Sequence, residues 1–320
     1  MVEGVTVILD GGLATELEWR GHDLSDRLWS ARLLLTDPDA IEGVHRAYFE
    51  AGAQVATTAS YQATIEGFVA AGLDRAAALS AIRRSVELAT AARDAHASAA
   101  DVDASTLLVA GSVGPFGAML ADGSEYRGDY DPGRTVLRDV HAPRMEALLD
   151  AGVDVLALET IPTVREAEVL IELVEEFGAA AWLAYQCRDD ATTAAGESIA
   201  DAVRITDGAA GIVAVGVNCT APTHVAALLR TARTATDLPL IAYPNGGDRW
   251  DASARRWMAG ADGGFDPAVV ASWSDLGAAW LGGCCRTGPD EIRALSGAVG
   301  DGAEVRPWRP GVDRTRAAGR

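Results

Sequence analysis

Not one of the 320 residues is lysine; all 27 basic side chains are arginine. A Schiff-base aldolase and a pyridoxal phosphate enzyme both need a lysine amine. A Walker-type phosphate loop normally needs its lysine as well. Those chemistries are excluded at once. Positive charge is scarce overall: 46 acidic side chains against 27 basic ones leave a formal net charge of −19. A nucleic-acid partner, which calls for a clustered basic face, is not expected. Basic residues gather only at the end, where Arg306, Arg309, Arg314, Arg316 and Arg320 are mixed with Pro307, Pro310 and Gly311. Residues 305–320 therefore read as a loosely ordered tail behind a domain spanning residues 1–304. Cysteine is sparse too: four in the chain, two of them adjacent, which is no disulfide framework. No apolar run approaches the ~20 residues of a membrane span. The opening residues Met1 to Val5 carry no basic n-region. The expectation is a reduced, cytoplasmic protein with no membrane partner.

What is present is a repeating pattern. A short apolar run gives way to a Gly/Asp/Thr/Ser-rich turn and then to an Ala/Leu/Arg/Glu helix. Eight strand candidates result: Val5–Asp10, Gln54–Thr58, Leu107–Ser112, Val153–Glu159, Ala180–Gln186, Ile212–Asn218, Pro239–Tyr243 and Ala278–Leu281. They are continuously apolar rather than alternating, as strands of a parallel sheet buried on both faces should be. Helices are expected between them, one of them from Asp37 with Thr36 as its cap and Pro38 in its first turn. Eight βα units in this length predict a single (β/α)8 TIM barrel with loop insertions at its C-terminal face. A doubly wound sheet is the alternative, but no early G-x-G-x-x-G follows the first strand. Three longer inserts, residues 18–35, 117–131 and 246–264, follow strands and should rise over the catalytic face.

In a barrel, function sits where the strands end. The first candidate strand ends at Asp10-Gly11-Gly12, the fourth at Glu159, the sixth at Asn218-Cys219 and the eighth runs into Cys284-Cys285. Three thiols from two strands thus share one rim, a donor set that suits a zinc ion with one coordination position open. Three small buried hydrophobes are the bland reading of the same residues. Cys187 reads as a buried structural thiol. Asp10 and Glu159 are two carboxylates at strand ends, suited to holding an ammonium group; turn formation and structural burial are the alternative roles. The five histidines, His22, His45, His96, His141 and His224, end no strand, so a histidine-based metal centre is not expected.

With these motifs assembled, the chain resembles the zinc-dependent homocysteine S-methyltransferases. The resemblance runs from about Val7 to Ala294 and rests on Asp10-Gly11-Gly12, Gly111-Ser112-Val113-Gly114-Pro115, Glu159-Thr160, Gly216-Val217-Asn218-Cys219 and Gly282-Gly283-Cys284-Cys285. Within that family it is most similar to enzymes that use S-methylmethionine, through Thr58-Ala59-Ser60-Tyr61-Gln62-Ala63-Thr64, Leu120 to Tyr126, and Ala242-Tyr243-Pro244-Asn245-Gly246-Gly247. The resemblance implies Zn2+ on Cys219, Cys284 and Cys285, with the homocysteine thiol at the open position. It implies that Asp10 and Glu159 hold the substrate ammonium, that Gly11, Gly12, Thr58 and Asn218 seat the amino-acid end, and that Trp29 and Tyr61 face the methyl donor. The partners it implies are homocysteine and a sulfonium donor, S-methylmethionine or S-adenosylmethionine, and methionine is the product. A long C-terminal extension associated with tetramers is missing, which favours a monomer. A carboxylate-centred hydrolase or isomerase on the same barrel, use of a betaine-type donor, and a thiol-based redox module are the competing readings.

Overall fold

The computed structural model describes residues 6–25, 28–247, 249–251, 256–258 and 264–300. Ten strands are numbered in chain order: β1 (Val7–Ile8), β2 (Val55–Thr57), β3 (Leu108–Val113), β4 (Val155–Ile161), β5 (Ala181–Tyr185), β6 (Ile212–Asn218), β7 (Leu240–Tyr243), β8 (Arg249–Asp251), β9 (Arg256–Met258) and β10 (Ala278–Leu281). Eight of them form one parallel sheet in the order β1-β10-β7-β6-β5-β4-β3-β2. A parallel bridge from Leu9 to Val55 joins its two ends, and the Asp10 N–H donates to the Val55 carbonyl at 3.1 Å. The eight strands anticipated from the sequence are the barrel staves.

The strands split by residue parity. Val155 and Ala157 of β4, Trp182 and Ala184 of β5, Ala214 of β6 and Ile241 and Tyr243 of β7 belong to one buried cluster that fills the lumen. Their neighbours Leu156, Leu158, Leu183, Val215 and Val217 pack in the second, larger cluster with the helices. This two-sided burial is why the strand runs carry no alternation. Small alanines leave room in the lumen for Trp182 and Trp280, whose rings stand 5.7 Å apart.

Local structure departs from the sequence expectation in three places. Asp37, not Thr36, caps the helix Pro38–Glu50: its carboxylate accepts from the Ala40 N–H, while the Thr36 hydroxyl is spent on the Arg32 carbonyl. A helix at Ile65–Ala70 precedes the long helix Arg75–Ala100, and Thr64 and Asp74 cap them. The inserts are partly regular. The first contains helical turns at Trp29–Arg32 and Leu33–Thr36, and the second takes in most of the helix Phe116–Leu120 and the whole turn Ser124–Tyr126. Within the third, β8 and β9 pair antiparallel; its remaining residues between 252 and 263, and the tail 305–320, lie outside the described residues. No helix among the described residues is long and apolar enough to cross a membrane.

His45, on the helix Pro38–Glu50, is fully buried, and neither ring nitrogen has a hydrogen-bond partner among the described residues. Burial alone lowers its pKa to about 4. Above pH ~6.5 the imidazole is neutral in both folded and unfolded chains. Below that, the unfolded chain takes the proton and the folded chain resists it. The stability so held is full above pH ~6.5 and is lost as pH falls toward 4, by about 3 kcal/mol in all. His45→Leu is expected to remove that part of the acid sensitivity, read as the shift in urea midpoint between pH 7 and pH 5. An unchanged shift contradicts the assignment.

Candidate metal centre and substrate cavity

β6 delivers Cys219 one residue past its end, and the turn after β10 delivers Cys284 and Cys285. The barrel register brings them together, because the Cys219 N–H donates to the Tyr243 carbonyl and the Cys284 N–H to the Pro244 carbonyl, at 3.0 and 2.8 Å. Cys219 Sγ and Cys285 Sγ stand 3.7 Å apart, and all three Sγ atoms lie within 4.8 Å of one another. Among the described residues this is the one cluster of Cys, His, Asp or Glu ligand atoms spaced to share an ion. Hydrogen bonds from Cys219 and Cys284 hold the Cys285 thiol well below its ordinary pKa, and the hydroxyl of Tyr126 adds to that effect.

The cysteine turn sits against the end of β1 because Gly11 and Gly12 carry no side chain. A Cβ on Gly11 would come within 2.5 Å of the Thr287 carbonyl oxygen, and one on Gly12 within 2.6 Å of that of Cys284. The Gly283 N–H in turn donates to the Asp10 carbonyl at 3.0 Å. Asp10 and the cysteine pair are therefore fixed to each other through the backbone.

A cavity of about 110 Å³ opens over the sulfur atoms. Asp10, Gly11, Gly12, Thr58 and Glu159 line it, as do Trp29, Tyr61 and all three cysteines. Asp10 Oδ2 accepts from the Thr57 N–H at 2.7 Å and Oδ1 from the Thr57 hydroxyl at 2.9 Å. Glu159 Oε1 accepts from the Ser112 hydroxyl. Tyr243 also bonds Glu159, and its oxygen accepts from Trp182 Nε1 at 2.9 Å. The two acids are nearly fully buried, and burial raises both: Glu159 to about 8, with the Cys284 charge adding, and Asp10 well above the usual carboxylate range. Among the described residues of the cavity wall there is no arginine or histidine to compensate them. Two buried carboxylates with raised pKa values would be stabilised in their charged form by a cation placed beside them.

Asn218, expected to help seat the amino-acid end, lies beside the sulfur cluster, with its Nδ2 3.9 Å from Cys284 Sγ. It is fully buried and is not part of the cavity wall. Its Oδ1 accepts from the Thr160 N–H at 2.6 Å and its Nδ2 donates to the Thr160 hydroxyl at 2.9 Å. Thr160 has φ +60° and Cys219 φ +46°, a left-handed conformation that costs each about 1–3 kcal/mol. Asn218 clamps the first of these strained residues. Thr58 lines the cavity, but its hydroxyl is engaged with the Ser60 hydroxyl and the Ser112 N–H. Cys187 is buried away from the cluster, outside the cavity wall, and burial pushes its thiol far up. Sequence reasoning did not single out Tyr126, Ser112, Tyr243 or Thr160; each stood inside a quoted motif, the last three near a strand end and Tyr126 within the second insert.

A (β/α)8 barrel with three thiols converging beside two buried carboxylates defines a class, a barrel enzyme whose sulfur cluster is spaced to hold a metal ion. The chain belongs to the homocysteine S-methyltransferase family, whose family model matches residues 7–299. It is 47% identical over 291 residues to the homocysteine S-methyltransferase of Escherichia coli (strain K12), covering 90% of this chain and 94% of that one. It is also 42% identical to the selenocysteine Se-methyltransferase of Brassica oleracea var. italica, over 91% of this chain and 88% of that one. The solved structure of the E. coli homocysteine methyltransferase MmuM in its metallated form superposes with a TM-score of 0.83 at 45% identity, covering 92% of this chain and 96% of that chain. That metallated form places metal dependence within the family.

Proposed function

We propose that this chain moves a methyl group from a sulfonium donor, S-methylmethionine or S-adenosylmethionine, to the thiol of homocysteine, forming methionine. The observation that carries the reading is the shared cavity, lined together by three clustered cysteine sulfur atoms, two buried carboxylates and the aromatic side chains of Trp29, Tyr61 and Tyr126. Zinc fits the donor set. Tetrahedral Zn2+ takes thiolates at about 2.3 Å, which sets sulfur pairs ~3.8 Å apart, close to the 3.7 Å between Cys219 and Cys285. The resident ion is therefore proposed as Zn2+ on Cys219, Cys284 and Cys285. A zinc ion held there supplies one thing, a substrate thiol kept deprotonated at neutral pH, where a free thiol of pKa ~8.5 is mostly protonated.

The chain's residues do the rest. Asp10 and Glu159 receive the homocysteine ammonium, which offsets the cost of their burial, and they orient its sulfur toward the floor. Ser112 and Thr57 keep the two carboxylates pointed at that position. Trp29, Tyr61 and Tyr126 enclose the donor side; each aromatic face attracts a sulfonium by ~0.5–2 kcal/mol. The wall excludes water and aligns the groups in line. The new S–CH3 bond forms as the donor's C–S bond breaks. Negative thiolate and positive sulfonium neutralise each other, the donor leaves as a thioether, and the thiol proton goes to solvent. No general base on the carbon is required.

The reading extends to a monomer in the cytoplasm, with the domain ending near residue 304. Its test is methionine formation from homocysteine, with each sulfonium donor and with betaine, alongside metal analysis of the purified protein. Zinc near one per chain and turnover with a sulfonium are expected. Turnover with betaine alone overturns the donor assignment.

A further inference from the structure

We propose that Arg144, His141, Glu166 and Tyr130 form a buried latch that positions the aromatic donor wall, Tyr61 and Tyr126, an inference that rests on the donor reading above. None of the four lines the cavity. Arg144, His141 and Glu166 are at most 1% exposed.

The contacts run in one chain. Arg144, on the helix Arg134–Asp150, donates through Nη1 to the Tyr61 carbonyl at 3.4 Å and through Nη2 to the Gly114 carbonyl. The same Nη2 lies 2.6 Å from His141 Nδ1. A guanidinium has no acceptor, so Nδ1 must accept. The ring proton then sits on Nε2, which donates to Glu166 Oε1 at 2.7 Å. Burial and the adjacent Arg144 charge hold His141 below its ordinary value, in keeping with a neutral ring. Glu166 Oε1 also accepts from the Phe116 N–H at 2.6 Å, and Oε2 from the Tyr130 hydroxyl at 2.5 Å.

Phe116 and Tyr130 bracket the insert that carries Tyr126. Glu166 therefore grips both ends of that insert, and Arg144 grips the backbone of Tyr61. The two segments are also joined directly, since Gln62 Nε2 donates to the Ala118 carbonyl at 3.1 Å. Gly114 makes the close approach possible: a Cβ there would meet the Tyr61 carbonyl oxygen at 2.6 Å and its ring at 2.7 Å. A buried Arg–Glu assembly gains little stability over apolar side chains of the same volume. Its directional hydrogen bonds do fix geometry, and here they fix the backbone beneath two cavity tyrosines.

Two variants test this. Glu166→Gln keeps the shape and loses the charge and one acceptor; Tyr130→Phe removes a single hydroxyl. Donor KM is expected to rise about tenfold in the first and about threefold in the second, with homocysteine KM and bound metal unchanged. Amide hydrogen exchange in segments 58–64 and 114–130 should quicken in both. Unchanged exchange, or donor and homocysteine KM rising together, overturns the latch. Should the wild-type chain turn over no sulfonium donor, the functional reading fails, and exchange still decides whether the latch orders these segments.

Discussion

Cys284→Ala is expected to yield a folded barrel that retains no metal and turns over on the order of 10³-fold more slowly, as befits the loss of several kcal/mol of charge stabilisation. Cys284 is only half-buried, so truncation leaves little cavity. The other two sulfur atoms remain 3.7 Å apart, but two thiolates do not make the three-ligand site of a catalytic zinc. Cys187→Ala is the control. Its thiol lies in the helix-facing core, its pKa is raised by burial, and its backbone N–H, which the substitution keeps, bonds the Thr220 hydroxyl at 2.9 Å. That variant should keep full metal and turnover and lose about 1 kcal/mol of stability. Metal analysis after gel filtration, with methionine formation, reads both. Loss of metal from Cys187→Ala with retention by Cys284→Ala reverses the ligand assignment.

Glu159→Gln is expected to raise homocysteine KM by roughly 10- to 100-fold, with kcat little changed, because a charge-assisted hydrogen bond is worth about 1.5–3 kcal/mol. Glutamine keeps an oxygen for the Ser112 hydroxyl, so the cavity wall stays in place. Asp10→Asn is the less clean variant. Both Asp10 oxygens accept from Thr57, one from its N–H and one from its hydroxyl, and an amide offers only one acceptor. Its effect therefore mixes ammonium binding with the seam between β1 and β2. Glu159→Gln should also leave the unliganded protein no less stable, since it removes a buried group that burial already pushes toward neutrality, to a pKa of about 8. A fall in kcat with unchanged KM contradicts a role in ammonium binding.

The barrel and the sulfur cluster were legible in the sequence for a simple reason. Eight apolar runs delimit eight staves, and a residue at the end of a stave lies at the mouth of the barrel, so Asp10, Glu159, Cys219 and the Cys284-Cys285 pair could be placed near one another without coordinates. Contacts that cross between staves were not legible. Ser112 reaches Glu159 across 47 residues of chain, and Trp182 reaches Tyr243 across 61. Neither pairing leaves a local pattern. Asn218 shows the same limit from the other side. An amide beside a ligand cysteine reads as a substrate contact, and only the left-handed backbone of Thr160 reveals what the amide holds. His141 ends no strand, and nothing in its local sequence says what its ring holds. What it satisfies, a glutamate 25 residues away and an arginine one turn along its own helix, emerges only once the helices pack.

Methyl-deuterated S-methylmethionine offered together with homocysteine carrying carbon-13 in its backbone reports the central step directly. With zinc-loaded protein, doubly labelled methionine should appear, one for each homocysteine consumed. It should fall to background after complete chelation and return when zinc is restored. Undiminished formation of doubly labelled methionine by metal-free protein would contradict a thiolate–zinc centre as the source of the reactive sulfur.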